Sequence, residues 1–203
     1  MDIKTLRPSP KIIHLKFKRK RDLTRTMLRF QEHFESPKFR NKCFSLEEFK
    51  AWYITTTADN KFTYYSDWSG FNFPSSILKS FYAGNFDPLS PEEKHILDLL
   101  RAEKGKFYVV ATFKDDSIKH ELAHAKFYVN AAYRKEVKKA LAPVNLKPIF
   151  KSRREAGYDK SVLVDEAHAY LLETDEYFER EFKIKAEEYG DVRRQLAEIY
   201  KQY

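Results

Sequence analysis

The stretch His120-Glu121-Leu122-Ala123-His124 decides how the rest of the chain is interpreted. On a helix, residues four apart lie on one face, one turn above the other, so the two histidines would point the same way. That spacing lets both imidazoles reach a single metal ion at about 2.0–2.1 Å. Glu121 then lies beside the metal, where its carboxylate can take a proton from a water molecule. The alternative is a chance match of five residues, so the flanking sequence has to support the pattern.

The flanking sequence predicts a strand that leads directly into this helix. Residues 106–113 are rich in β-branched and aromatic side chains and lie between Gly105 and a polar turn, which is typical of a strand. The helix is expected to be capped by Asp116 or Ser117. Four apolar residues give it a side that can face a core: Ile118, Leu122, Ala125 and Val129.

The third metal ligand is expected in residues 164–170, because a catalytic zinc site has three protein ligands and one open position. Glu166 and His168 interrupt an otherwise apolar, helix-like run there. A carboxylate in such a run is costly to bury unless it is paired or bound to metal. We favour Glu166, and His168 is the rival that would give a three-histidine site. Asp165 is expected to support a ligand from behind, since metal-bound imidazoles usually donate to a carboxylate or a carbonyl.

Together, His120, Glu121, His124 and Glu166 resemble the gluzincin branch of zinc metallopeptidases, in which a Glu on a later helix completes H-E-x-x-H. The chain is also similar to small zincin-like proteins that carry H-E-[LI]-A-H and a later D-E-x-x-A-Y. The resemblance covers roughly residues 106–172. It implies an α+β, zincin-like fold, mainly helical, with a small mixed or antiparallel sheet. It also implies that the edge strand of this sheet precedes the motif helix and pairs with an extended substrate.

The same resemblance implies hydrolysis of peptide bonds by a metal-activated water, with Zn²⁺ as cofactor and Glu121 as the general base. In thermolysin-like enzymes an acid three residues after the Glu ligand supports a metal histidine, whereas this chain has Ala169 there. Asp165 is the expected substitute. Tyr170, one turn after Glu166, is the first candidate for stabilising the oxyanion, although such a tyrosine is more often a core ring.

Further candidates exist for two of these roles. His168 and Tyr158 are the other side chains considered for the oxyanion. The extended zincin pattern would need a third histidine where this chain has Asn130. Peptide deformylases combine H-E-x-x-H with an upstream Gly-Cys-Leu, which is not found around Cys43, so that family is excluded.

Other segments predict further helices and a few strands. Residues 11–18 predict a strand and residues 146–150 a short one, followed by a basic loop over 151–158. Helices are predicted over residues 22–35, 45–53, 90–104, 130–142 and 161–172. Residues 174–203 predict one amphipathic helix that is broken near Gly190. The aromatic segment 61–76 is either a lip that faces substrate or a loop whose rings fill the core.

Length and composition predict a single domain over residues 1–203, with 42% hydrophobic and 16% aromatic residues. We divide it into an N-terminal part (1–105) with the aromatic loop, a zincin-like metal-site core (106–173) and a C-terminal helix (174–203). The chain has no apolar run of about 18 residues, so no membrane span is expected. A single cysteine and the lack of an apolar leader favour a cytoplasmic location.

The formal net charge of +8 is partly local, because residues 16–21 carry five basic side chains. Such a run can bind nucleic acid together with Arg153 and Arg154, but it is more often a solvated surface. We therefore predict a zinc metallopeptidase that acts on a peptide or protein substrate. The second hypothesis is a protein that binds zinc without hydrolysis, and the third is a nucleic-acid-associated protein.

Overall fold

The computed structural model describes residues 2–114, 118–156 and 158–203. The chain folds into two compact units, Met1–Ile118 and Lys119–Tyr203. Each unit has its own cluster of buried apolar side chains. The single domain predicted over residues 1–203 stays a prediction. Both expected caps of the motif helix, Asp116 and Ser117, lie outside the described residues.

The first unit contains a four-stranded sheet. Its strands are β1 (Ile3–Ser9), β2 (Ile12–Phe17), β3 (Gly70–Pro74) and β4 (Tyr108–Phe113), in the order β1-β2-β4-β3. The β2–β4 pair is parallel, whereas the β1–β2 and β3–β4 pairs are antiparallel. The predicted combination of many helices with one small mixed sheet is therefore confirmed. Strand β1 was not expected, because its exposed residues give it no apolar run.

The prediction that the strand before the motif helix is an edge strand is wrong. Val110 of β4 is paired with His14 of β2 on one side and with Asn72 of β3 on the other. The reason is visible in the burial of β4, whose first five residues are all buried. A continuous apolar run is typical of a central strand, covered on both faces, rather than of an edge. Its main chain is already hydrogen-bonded on both sides and offers no place for a substrate strand.

The helices of the first unit share one largely aromatic core with this sheet. They are α1 (Lys20–Glu35), α2 (Leu46–Ile54), α3 (Tyr64–Asp67), α4 (Leu78–Tyr82) and α5 (Pro91–Leu100). Capping boxes begin α2 at Ser45 and α5 at Ser90, as predicted. Glu93 of the second box also forms a buried ion pair with Arg29 of α1, 2.5 Å from Nη2 to Oε2.

The aromatic segment supplies core rings rather than a free loop. Tyr64, Phe71 and Phe73 are at most 2% exposed, and the last two lie on β3. Trp68 is the exception, with 43% of its surface exposed. These three rings fill the core, in agreement with the second interpretation of this segment.

The second unit is helical in its described part. Its helices are α6 (Ile118–Val129), α7 (Ala131–Leu141), α8 (Lys147–Glu155), α9 (Leu163–Leu171), α10 (Asp175–Phe182) and α11 (Gly190–Gln202). Among all described residues, none of the helices has the length and apolar character that a bilayer crossing needs.

Two predicted elements of this unit are wrong. The short strand and basic loop predicted over 146–158 are mostly α8. Ile149 and Arg153 are one helical turn apart and both buried. The apolar run there is too short to distinguish a helical period from a strand. The C-terminal helix is interrupted before Gly190, as predicted, and forms two α-helices. Lys183, with φ 58°, ends α10 in a left-handed conformation and donates its N–H to the carbonyl of Glu179, whereas Gly190 begins α11.

Candidate metal centre

Helix α6 places the two motif histidines with their Nε2 atoms facing each other. The Nε2 atoms of His120 and His124 are 3.1 Å apart, and the two ring planes meet at 75°. Two nitrogens bound to one tetrahedral zinc at about 2.0–2.1 Å would be separated by about 3.3 Å. The separation produced by one helical turn is therefore close to the separation that a shared metal ion requires.

Helix α9 brings Glu166 to the same point. Its Oε1 lies 3.7 Å from Nε2 of His124, and one ligand atom from each of His120, His124 and Glu166 lies within 4.8 Å of the other two. His124 and Glu166 are only 3% and 4% exposed, while His120 is partly exposed at the rim. Three of the predicted ligands thus converge in the second unit, and the group has one side nearer to solvent.

A carboxylate lies behind each histidine. Asp165 Oδ2 is 3.1 Å from Nδ1 of His124, and Glu173 Oε1 is 3.3 Å from Nδ1 of His120. Each carboxylate favours the tautomer with the proton on Nδ1, which leaves Nε2 as an acceptor directed at the shared point. Asp165 was singled out from the sequence, whereas Glu173 was missed. The sequence feature that could have indicated Glu173 is its position two helical turns after Glu166, just beyond the end of α9.

The charges of this group are strongly coupled. Burial opposes the charged form of His124, but the negative charges of Asp165 and Glu166 override it and raise the pKa of His124 well above its ordinary value. Burial likewise opposes the ionised form of Asp165, yet the His124 imidazolium lowers the pKa of Asp165 to about 2. Burial raises the pKa of Glu166, against the charges of both histidines. A positive charge at this point therefore stabilises the group.

Glu121, the predicted general base, is a nearly buried residue of α6, with 7% of its surface exposed. Its negative charge contributes to the raised pKa of His124, after the larger contributions of Asp165 and Glu166. The role of Glu121 as general base stays a prediction.

His168, the rival third ligand, has both ring nitrogens engaged elsewhere. Its Nε2 lies 2.7 Å from Tyr133 Oη, and its Nδ1 lies 3.2 Å from the main-chain oxygen of Asp165. Complete burial lowers the pKa of His168, so the ring is neutral, donates through Nδ1 and accepts from Tyr133 through Nε2. In this arrangement His168 has no lone pair for a metal ion, and Glu166 is the residue placed beside the two histidines.

Tyr170, the predicted oxyanion stabiliser, packs its ring edge-on against His120 with centroids 4.7 Å apart. Its hydroxyl oxygen accepts a hydrogen bond of 2.8 Å from Nη1 of Arg153. Burial raises the pKa of Tyr170, although the Arg153 charge opposes this, so the hydroxyl keeps its proton and can still donate it. Tyr158, the other tyrosine considered, has its ring 5.7 Å from the Arg153 guanidinium carbon.

Several of the basic residues that suggested nucleic-acid binding are buried or paired with acidic side chains. Arg153 is buried and also pairs with Glu181, so it does not belong to an exposed basic loop. In the basic run, Lys18 pairs with Asp2 at 3.0 Å and Arg19 pairs with Asp22 at 2.8 Å. Part of the local positive charge is therefore compensated.

Comparison of this chain with protein-family models, with curated proteins and with solved structures finds no match. The group formed by α6 and α9 is therefore the feature of the molecule that bears on its function.

Proposed function

We propose that this protein is a zinc-dependent metallopeptidase with a zincin-like site, in which His120, His124 and Glu166 hold the metal. The observation that supports the proposal is the convergence of these three ligand atoms within 4.8 Å, together with a carboxylate behind each histidine. An outer carboxylate on each imidazole is the arrangement that histidine ligands of zinc usually have.

The donor set fits zinc better than the common alternatives. Two imidazole nitrogens and one carboxylate oxygen form one of the usual ligand sets of catalytic zinc, whereas Ca²⁺ and Mg²⁺ prefer oxygen ligands alone. The same set also occurs in non-haem iron sites. The placement of Glu121 directly after the first ligand favours a hydrolytic zinc centre, because this is the position of the general base in H-E-x-x-H enzymes.

Each side chain then has a defined task. Bound zinc lowers the pKa of its water toward about 7 and polarises the carbonyl of the scissile bond. Glu121 accepts a proton at its carboxylate and later gives it to the leaving amine. Tyr170 donates its hydroxyl hydrogen to the oxygen that becomes negative, and Arg153 strengthens that donor by donating to the same hydroxyl oxygen. Asp165 and Glu173 keep the two imidazoles in the ligand tautomer.

The test combines metal analysis with two substitutions. Purified protein should contain about one zinc per chain and cleave unstructured protein substrates. Glu121→Gln should keep its zinc and lose about 10²–10⁴-fold in turnover, because it removes the base but no ligand. His124→Ala should lose both zinc and turnover. Glu136→Gln on α7 makes the same chemical change outside the group and should match the parent.

Two results would contradict the proposal. If Glu121→Gln cleaved peptides as fast as the parent, Glu121 would not be the base. If the purified protein held iron instead of zinc, or if zinc did not bind at all, the hydrolytic centre itself would be wrong.

A zinc-binding protein without hydrolytic activity is the second candidate, and the burial of Glu121, His124 and Glu166 favours it. The two candidates differ in whether the fourth metal position is open. Cobalt-substituted protein should change its visible spectrum when a small hydroxamate is added if that position is open. An unchanged spectrum, together with no cleavage by the zinc form, would favour the second candidate.

A further inference from the structure

We propose that Tyr133 and His168 are positioning residues for the ligand His124, and that they act on it through Asp165. This inference depends on the zinc site proposed above, but not on its being a peptidase. It assigns a role to two buried polar side chains that neither hold the metal nor reach the reacting atoms.

Contacts link the four residues in the order Tyr133, His168, Asp165 and His124, and Asp165 is the acceptor for both histidines. Tyr133 Oη donates to His168 Nε2 at 2.7 Å. His168 Nδ1 then faces Asp165, 3.2 Å from its main-chain oxygen and 3.4 Å from Oδ1. The other carboxylate oxygen, Oδ2, accepts from His124 Nδ1 at 3.1 Å. Because the Asp165 carboxylate can only accept, His124 donates to it through Nδ1 and keeps Nε2 for the metal, as a ligand histidine requires.

Packing holds His168 in this orientation. The ring is fully buried, stacked on Phe127 of α6 with centroids 5.4 Å apart and met edge-on by Tyr133 of α7 at 5.5 Å. Three helices therefore fix the imidazole that faces Asp165.

Apart from His168, few groups hold the second carboxylate oxygen of Asp165, Oδ1, in place. Within the described part of the chain, Oδ1 is buried and has no hydrogen bond of good geometry, and His168 Nδ1 is its ion-pair neighbour. The oxygens of Asp165 favour the proton on Nδ1 of His168, and the Tyr133 hydroxyl adds to this preference by donating to Nε2. Without that hydroxyl, the tautomer with the proton on Nε2 competes. The Asp165 carboxylate could then turn away from His124.

The competing explanation is purely structural: buried polar groups satisfy one another, and the metal is not involved. The two explanations differ in one measurable quantity. A structural role changes the stability of the fold and leaves zinc affinity as it is, whereas a positioning role changes zinc affinity as well.

The experiment compares Tyr133→Phe with Tyr189→Phe, which also loses one hydroxyl in the second unit. Tyr189 Oη donates to the main-chain oxygen of Asn145 at 3.0 Å and takes no part in the contacts that link Tyr133 to His124. Zinc dissociation constants are measured by competition with a chromogenic chelator. Tyr133→Phe should bind zinc about tenfold more weakly than the parent, the lower end of the range for outer residues of metal sites. Tyr189→Phe should stay within about twofold of the parent, on the same reasoning.

Two further measurements test whether the effect passes through Asp165. In the Asp165→Asn background, Tyr133→Phe should cause no further loss of zinc affinity, since the link is already broken. In the metal-free protein, the Nδ1–H proton of His124 should be visible by nitrogen-15 histidine NMR and should exchange faster in Tyr133→Phe. Tyr189→Phe should leave that proton unchanged.

Equal zinc affinity of Tyr133→Phe and the parent would overturn the positioning role and leave the zinc peptidase proposal in place. Additive losses in the double variant, or equal losses in Tyr133→Phe and Tyr189→Phe, would also overturn it. A parent that binds zinc but cleaves nothing would overturn the peptidase and leave the positioning role supported. A parent that binds no zinc would overturn both.

Discussion

Replacing Asp165 by Asn tests the electrostatic description of the site most directly. The substitution keeps the shape of the side chain and removes the negative charge that faces His124 Nδ1 at 3.1 Å. The pKa of Asp165 is lowered from 3.8 to about 2 in the folded protein. At 1.36 kcal/mol per pKa unit, this lowering of the pKa corresponds to about 2 kcal/mol in the free energy of unfolding. The value is rounded down because 23% of the Asp165 side chain is exposed, and solvent weakens the interaction.

The pH dependence has a defined sign. A carboxyl with a lowered folded-state pKa contributes stability that is fully present above its unfolded-state pKa, near 3.8, and is lost as the pH falls through about 2. The raised pKa of His124 keeps the partner charged at pH 6. The parent should therefore exceed Asp165→Asn by about 2 kcal/mol in free energy of unfolding at pH 6, and the difference should disappear near pH 2.

The assay is chemical denaturation of the metal-free proteins at a series of pH values between 2 and 7, followed by zinc titration at pH 7. Zinc affinity of Asp165→Asn should fall about 10–100-fold, because the imidazole loses the acceptor that fixes its tautomer. A constant stability difference down to pH 2 would refute the assignment of the lowered pKa to this pair. Unchanged zinc affinity would refute the role of Asp165 behind a ligand.

Two further predictions concern Tyr170 and the first unit. Tyr170→Phe should lower kcat about 10²–10³-fold and leave the zinc dissociation constant unchanged, since it removes one donor to the developing oxyanion. A parallel loss of zinc would show that the hydroxyl supports the metal site and not the oxyanion. Glu93→Ala removes a capping box and leaves Arg29 buried without its carboxylate partner, so denaturation should show a loss of about 3–5 kcal/mol in the unfolding free energy. A loss below about 1 kcal/mol would mean that the main-chain oxygens around Arg29 suffice to hold its charge.

The placement of the histidine pair could be predicted because it depends on local geometry. One helical turn brings the side chains of His120 and His124 to the same face whatever the rest of the chain does. The α9 ligand could be predicted for a different reason. Glu166 and Asp165 are acids in an apolar helix, and buried acids need a partner. Both placements follow from the types and spacing of residues within one element.

The rest of the site depends on long-range packing that spacing does not encode. Glu173 lies beyond the end of α9 and could not be predicted from the acid position of thermolysin-like enzymes, which is occupied here by Ala169. Arg153 looks like a surface residue in a basic segment, and only the packing of α8 shows that it is buried beside Tyr170. The position of β4 inside the sheet likewise required β3, whose five residues give too short a strand pattern to be recognised.

The burial of the acids around His124 is itself an argument about what occupies the site. Each ionised carboxylate taken out of water costs several kcal/mol, and a fold keeps such groups together only where a cation compensates them. In the metal-free protein the compensating charge is a proton on His124, and the raised pKa of that histidine reflects it. With both Nδ1 atoms facing carboxylates, the two Nε2 lone pairs and the Glu166 oxygen are directed at one point. A proton can satisfy two of these three acceptors at a time, whereas a divalent metal ion satisfies all three, so zinc should displace the proton, and its binding should become tighter as the pH rises.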